Sequence, residues 1–175
     1  IADAVPDRAA VITNDAELTY RQLDERANRL ANHLLSEGIA PGEHVAVHAA
    51  NCVEWVEAFF ACFKIRAVPI NVNYRYVEGE LRYLYANAEA AFTIVADEYA
   101  GVISAISGDL PTLRGVLRLG AEYEAALAAA SPQRPRIQRS SDDLYLLYTG
   151  GTTGMPKGVM WRCEDVFMAA MNAAR

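Results

Sequence analysis

Apolar residues recur every three or four positions in some segments of this chain and form short continuous runs in others. The first pattern predicts helices, because side chains three and four positions apart share one face of a helix. The second pattern predicts short buried strands. Helices are predicted over 19–37, 51–64, 77–87, 100–106, 122–130 and 164–174, strands over 45–48, 67–70, 91–95, 116–119 and 144–148, and an extended segment over 159–161.

Local signals mark the ends of two of these elements. Thr19 and Gln22 have the spacing of a capping box, which predicts the start of the first helix. Gly38 suits the residue that follows a helix, and Pro41 prevents the helix from continuing. Pro69 has no backbone N–H, so we expect its strand to be an edge strand or to be irregular.

The order of the predicted elements defines the fold class. Strands that alternate with helices predict an α/β fold, in which a mostly parallel sheet is flanked by helices. Ligands of such sheets bind beyond the carboxyl ends of the strands. The residues that follow strand 144–148 are therefore the first candidates for a functional site.

Composition narrows the class of protein. The chain has 175 residues, 53% of them hydrophobic, with a formal net charge of −6. This acidic balance argues against nucleic acid as a partner, and no apolar run approaches the roughly 20 residues that span a bilayer. The three separated cysteines Cys52, Cys62 and Cys163 predict free thiols in a reducing compartment, hence the cytoplasm. The chain begins at Ile1 and stops within a predicted helix, as part of a longer protein would.

The strongest chemical signal is the run over 148–158, which reads Tyr-Thr-Gly-Gly-Thr-Thr-Gly-Met-Pro-Lys-Gly. Glycines let backbone N–H groups approach an anion closely, hydroxyls add donors, and the lysine adds a charge. A strand that ends in such a loop predicts a nest for a polyphosphate. The alternative for a run rich in Gly and Thr is a surface hairpin without a ligand.

The run differs from the P-loop of the common NTPases. That motif ends in Gly-Lys-[Ser/Thr] and leads directly into a helix. Here Lys157 stands between Pro156 and Gly158, and Pro156 disfavours a helical conformation at Met155. We therefore expect the chain to stay extended or turn-like through Lys157.

The run resembles the phosphate-binding signature of the adenylate-forming enzymes, the acyl-CoA synthetases and their relatives. Gly150 stands where that family most often has Ser, and Arg66 where Gly is commoner. Segments 18–23, 27–31, 63–71 and 80–84 are also similar to the family, so the resemblance covers essentially the whole chain. It implies that residues 1–175 are the N-terminal portion of the AMP-binding large domain, without its remainder and without the mobile C-terminal domain.

The resemblance implies a reaction in two steps, in which a carboxylic acid and ATP form an acyl-adenylate and coenzyme A then displaces AMP. It implies catalytic roles for Thr152, Thr153 and Lys157. No Tyr-Gly-x-Thr-Glu segment is present, so the carboxylate ligand of Mg²⁺ is expected beyond this chain, and the fragment alone is expected to be inactive. The residues that would bind the phosphates of ATP are Thr149, Gly150, Gly151, Thr152, Thr153, Gly154 and Lys157.

The resemblance also bears on the substrate and leaves alternatives open. The sequence of residues 155–162 is most similar to that of bacterial enzymes that act on fatty or steroid-type acids. The alternatives are a fatty acyl-AMP ligase that loads a carrier protein and an inactive nucleotide-binding or interaction module. The resemblance leaves open a homodimer and a peripheral association with membranes. Trp161 could line an acyl tunnel or simply pack beside a strand.

Other residues that could carry chemistry are assigned structural roles. Cys163 follows no nucleophile pattern, and its neighbours Glu164 and Asp165 should raise the pKa of its thiol. The remaining sets are expected to be structural or surface histidines (His33, His44, His48), packing tyrosines (Tyr74, Tyr76, Tyr83, Tyr85) and a solvated basic loop rather than a CoA-phosphate site (Arg134, Arg136, Arg139).

Overall fold

The computed structural model describes residues 1–14, 16–149 and 155–170. Its elements follow the predicted alternation, with two additions that the pattern did not indicate. They are a short antiparallel hairpin near the start of the chain and a 3-10 helix over Ser107–Asp109. The strands are β1 (Ala9–Ile12), β2 (Glu17–Thr19), β3 (His44–His48), β4 (Val68–Asn71), β5 (Phe92–Val95), β6 (Gly115–Arg118), β7 (Leu144–Thr149) and β8 (Lys157–Arg162). The helices are α1 (Tyr20–Ser36), α2 (Val53–Ile65), α3 (Glu78–Asn87), α4 (Asp97–Ile106), α5 (Ala121–Ala129) and α6 (Cys163–Ala170).

Six strands form the central sheet in the order β6-β5-β3-β4-β7-β8. All neighbouring pairs are parallel except β7 and β8, which are antiparallel. Parallel neighbours need a crossover connection, and helices α2 to α5 lie in the segments that link β3 to β7. The predicted α/β class with a mostly parallel sheet is confirmed.

Hydrophobic clusters cover both faces of this sheet. Val45 and Val47 of β3 join one cluster with residues of α1, α2 and α5, whereas Ala46 joins another with residues of α3 and α4. This division follows from the strand, because successive side chains point to opposite faces. Helices on both sides therefore leave the ends of the strands as the place where a ligand can approach.

The expectation of an edge or irregular strand around Pro69 is wrong, because β4 lies inside the sheet between β3 and β7. The N–H groups of Val68 and Val72 donate to the carbonyls of Glu43 and Val47, on the β3 side. Alternation along the strand turns the nitrogen of Pro69 towards β7. The ladder with β7 begins only at Ile70, so the missing N–H breaks no hydrogen bond.

The predicted start of α1 is confirmed in detail. The backbone N–H of Gln22 donates to Thr19 Oγ1 at 3.3 Å, and the N–H of Thr19 donates to Gln22 Oε1 at 2.8 Å. Gly38 follows the helix with a φ of 81°, a conformation that glycine adopts without steric cost. Local sequence alone was sufficient here because all the partners lie within one turn of helix.

Replacement of Gly115 by Ala is expected to destabilise the protein by about 1–3 kcal/mol, the usual range for overpacking a core. Gly115 pairs with Phe92 across β5 and β6, and a Cβ atom would lie 2.4 Å from Cε2 of that buried ring. Urea unfolding measures the change.

The matched control is Gly101→Ala within α4, where nothing lies within 4 Å of an added Cβ. It should stabilise the helix by roughly 0.5–1 kcal/mol. Equal unfolding midpoints for the two variants would contradict the close approach of Phe92.

Candidate functional site

The candidate site is the segment that follows β7 at its carboxyl end, and the strand predicted over 144–148 is confirmed as Leu144–Thr149. Strands β7 and β8 pair over six positions, and the last pair joins Thr149 to Lys157. The structure therefore brings two of the seven predicted site residues opposite each other, on either side of the intervening loop. The other five, residues 150–154, lie outside the described residues.

Both described residues of the predicted site are accessible to solvent. Thr149 and Lys157 are exposed, and within the described part of the chain Lys157 forms no ion pair. Pro156, which precedes the lysine, is buried. A lysine whose charge no carboxylate neutralises is suited to an anionic ligand.

Tyr148 forms the base of the loop together with Gly158. The two residues pair directly across β7 and β8, and the tyrosine is 6% exposed. Its hydroxyl donates to Oδ1 of Asn87, the last residue of α3, at 2.8 Å. Burial raises the pKa of Tyr148, which keeps the phenol protonated as a donor.

The start of β7 is held by Asp143. Its carboxylate accepts hydrogen bonds from Arg66 Nε at 2.8 Å and from the N–H of Ser140 at 2.9 Å. Its carbonyl accepts from the N–H of Cys163 at 2.8 Å. These contacts tie the end of α2, the segment before β7 and the end of β8 together.

Arg66 adopts the left-handed conformation after α2, with a φ of 62°. Glycine is the residue that adopts this conformation at least cost, which explains why Gly suits the position in the family that the chain resembles. The ion pair of Arg66 with Asp143 offsets part of the backbone cost. Arg66 thereby joins α2 to the strand that carries the site.

The thiol of Cys163 has a raised pKa, in the predicted direction but for a different reason. Burial is the main cause and the charge of Asp143 the second. Glu164 and Asp165, which the sequence suggested as the cause, lie beside Arg162, and Asp165 accepts from Arg162 Nε at 2.9 Å. A raised pKa disfavours the thiolate, and a nucleophilic role for Cys163 with it.

The histidines pack within the fold. His48, at the end of β3, is completely buried and stacks on Tyr99 with ring centroids 4.8 Å apart. The ring of His44 contacts the carbonyl oxygen of Ala88. Among the described residues no group of three or more His, Cys, Asp or Glu side chains is placed to hold a metal ion.

Two further sets of residues behave largely as expected. Arg134 forms ion pairs with Asp3 and Asp24 at 3.0 Å each, whereas Arg136 and Arg139 are exposed. The four tyrosines do not form one cluster: Tyr74 and Tyr83 are exposed, whereas Tyr85 is buried and its hydroxyl contacts Thr93 Oγ1 at 2.7 Å.

No helix in the described part of the chain combines the length and the apolar character that a membrane crossing requires.

Comparison with known proteins defines the class to which this fold belongs. The model of the AMP-binding enzyme family matches residues 1–174. The chain belongs to this family.

Two curated relatives are acyl-CoA ligases. The chain is 48% identical to 3-oxocholest-4-en-26-oate–CoA ligase of Rhodococcus rhodochrous and 45% identical to the medium/long-chain-fatty-acid–CoA/3-oxocholest-4-en-26-oate–CoA ligase of Mycobacterium tuberculosis. Each match covers 94% of this chain and 32% of the relative. The chain therefore spans about a third of the length of these proteins.

A solved structure supports the assignment of the chain to this family. The anthranilate CoA ligase AuaEII, in complex with anthranoyl-AMP, superposes with a TM-score of 0.91 at 28% identity. The match covers 96% of this chain and 34% of that one. The fold is therefore that of the N-terminal part of an adenylate-forming enzyme.

Proposed function

We propose that the whole protein of which this chain is a part is an acid–thiol ligase, which activates a carboxylic acid with ATP and transfers the acyl group to coenzyme A. The observation that carries the proposal is the β7–β8 hairpin. It holds Thr149 opposite Lys157, which forms no ion pair among the described residues, at the two ends of a run of Gly and Thr. The relatives named above are CoA ligases, and they support the same reaction.

The chemistry explains why the loop needs these residues. The carboxylate of the substrate attacks the α-phosphorus of ATP, the bond to the bridging oxygen breaks, and pyrophosphate leaves. Negative charge on the β- and γ-phosphates has to be neutralised as it leaves, which positioned donors and a cation can do. In this proposal residues 149–154 donate N–H and hydroxyl groups to those phosphates, and Lys157 supplies the positive charge.

We propose a fatty or steroid-type acid as the substrate. The relatives from Rhodococcus rhodochrous and Mycobacterium tuberculosis carry such acids in their names. The overlap of these two classes points to a large apolar acyl group with one carboxylate. A panel of acids that spans short, medium and long chains and a steroid side-chain acid ranks them by kcat/KM.

Magnesium would enter with ATP and neutralise part of the charge on its phosphates. We propose that its protein ligand lies beyond residue 175. We also propose that the protein is cytoplasmic. Gel filtration of the full-length protein decides whether it is a monomer or a homodimer.

The proposed reaction is tested with the full-length protein, ATP, Mg²⁺, a medium-chain or steroid acid and either coenzyme A or a phosphopantetheinylated carrier protein. We expect pyrophosphate release and a thioester that forms only with coenzyme A. Acyl transfer to the carrier protein without reaction with coenzyme A would identify an acyl-AMP ligase instead. If no acid led to pyrophosphate release, both the CoA ligase and the acyl-AMP ligase would be contradicted. The inactive nucleotide-binding or interaction module would then remain. The 175-residue chain by itself, as a control, is expected to release none.

A further inference from the structure

The two ends of the candidate loop meet at the pair formed by Tyr148 and Gly158, one position inside the pair of Thr149 and Lys157. A Cβ atom on Gly158 would lie 3.0 Å from Cζ and 3.2 Å from Oη of Tyr148. The phenol ring therefore lies directly over the backbone of Gly158. Only a residue without a side chain permits this contact without displacement of the ring.

Helix α3 contacts the hydroxyl of the same ring. The hydroxyl of Tyr148 donates to Oδ1 of Asn87 at 2.8 Å, although the two residues are 61 positions apart in the sequence. Tyr148 also belongs to the hydrophobic cluster that contains Leu81, Leu84 and Tyr85. The ring is thus held by apolar contacts along its length and by one hydrogen bond at its tip.

Strand β8 depends on such contacts for its position. All six of its residues are exposed, and none of them belongs to the two hydrophobic clusters of the described residues. The end of β8 far from the loop is anchored by the ion pair of Arg162 with Asp142 at 2.7 Å and by the N–H of Cys163. The end near the loop is anchored through its pairing with β7 and through the contact of Gly158 with Tyr148.

We propose that Asn87, Tyr148 and Gly158 form a clasp that positions Thr149 and Lys157 for the phosphates of ATP. The proposal rests on the proposed function of the loop. In this proposal the three residues contact neither the phosphates nor the reacting atoms. They act through the next pair of the ladder, so they are positioning residues for ATP.

The test uses the full-length enzyme with Tyr148→Phe, Asn87→Ala and the double variant, and measures KM for ATP, KM for the acid and kcat of pyrophosphate release. Loss of one neutral hydrogen bond corresponds to roughly five-fold in an equilibrium constant. We expect each single variant to raise KM for ATP about five-fold and to leave KM for the acid unchanged. The double variant should show the same increase as either single one, because both remove the same hydrogen bond.

The matched control is Tyr145→Phe, which removes a hydroxyl from the opposite face of β7, where Tyr145 packs on the other cluster. A loss of folded protein alone would lower the apparent kcat without a change in KM for ATP, and thermal unfolding of each variant measures such a loss. Asn87 is exposed, so Asn87→Ala tests the clasp even if Tyr148→Phe unfolds the core.

Lys157→Ala, assayed in parallel, separates failure of the clasp from failure of the site. If Lys157→Ala impairs the use of ATP while Tyr148→Phe and Asn87→Ala match Tyr145→Phe, the clasp is refuted and the site stands. Additive effects in the double variant would also refute it. If Lys157→Ala has no effect either, the proposed function of the loop is wrong, and the clasp with it.

Discussion

Replacement of Lys157 by Ala in the full-length enzyme is expected to slow ATP-dependent pyrophosphate release by about 100-fold, the usual effect of removing one group that stabilises developing negative charge. Lys157 is exposed where the candidate loop ends and forms no ion pair within the described residues, so its charge is available to an anionic ligand, which in the proposed function is ATP. In the proposed site, Thr152→Ala and Thr153→Ala each remove a hydroxyl that would donate to a charged phosphate oxygen. Each should slow the reaction by roughly 10-fold.

The control for a general effect of charge is Arg136→Ala. Arg136 is an exposed cation that precedes β7 and forms no ion pair within the described part of the chain. This variant should retain the activity of the unmodified enzyme. If Lys157→Ala were as active as Arg136→Ala, the phosphate role of the loop would be untenable, whereas a selective loss at Lys157 supports it.

The second large effect is a loss of stability in acid that depends on His48. Burial lowers the pKa of His48 from its ordinary value of 6.5 to about 4. Above pH 6.5 the histidine is neutral in the folded and the unfolded protein, so it contributes no pH dependence. As the pH falls from 6.5 to about 4, the unfolded protein binds a proton that the folded protein does not. This linkage should lower the free energy of unfolding by about 3 kcal/mol over that interval.

The measurement is urea unfolding of the protein and of His48→Phe at several pH values between 7 and 4. Phenylalanine cannot bind a proton and can still stack on Tyr99. The absolute stability of the variant can differ, but its slope with pH should lack the contribution of His48. Parallel curves for the two proteins would show that His48 is protonated without penalty in the folded state.

Local pattern was sufficient for most elements of this fold. The start of α1 depends on Thr19 and Gln22, which are three positions apart, and its end on Gly38. The partners in each of these interactions lie within one or two helical turns of each other, so both are visible in a short stretch of sequence. The same is true of the strands, whose apolar runs result from burial on both faces.

The predictions that were wrong or incomplete concern features that the folded structure decides. The position of Pro69 depends on which strand its nitrogen faces and on where that ladder begins. The hairpin of β1 and β2 is short and only partly buried, so its pattern carries little signal. The pKa of Cys163 is raised mainly by burial and not by its sequence neighbours, because folding pairs Asp165 with Arg162.

The sequence by itself supplied the prediction for the candidate site, since the order of Gly, Thr, Pro and Lys over 148–158 is local and specific enough to predict a phosphate loop outside the NTPase class. It also determined the α/β class, because helical and strand periods are visible along the chain. Only the tertiary structure decided that Asn87 holds Tyr148 and that Thr149 faces Lys157. The contact of Asn87 with Tyr148 joins residues 61 positions apart, and no short-range periodicity specifies which distant side chains the packed sheet and helices bring together.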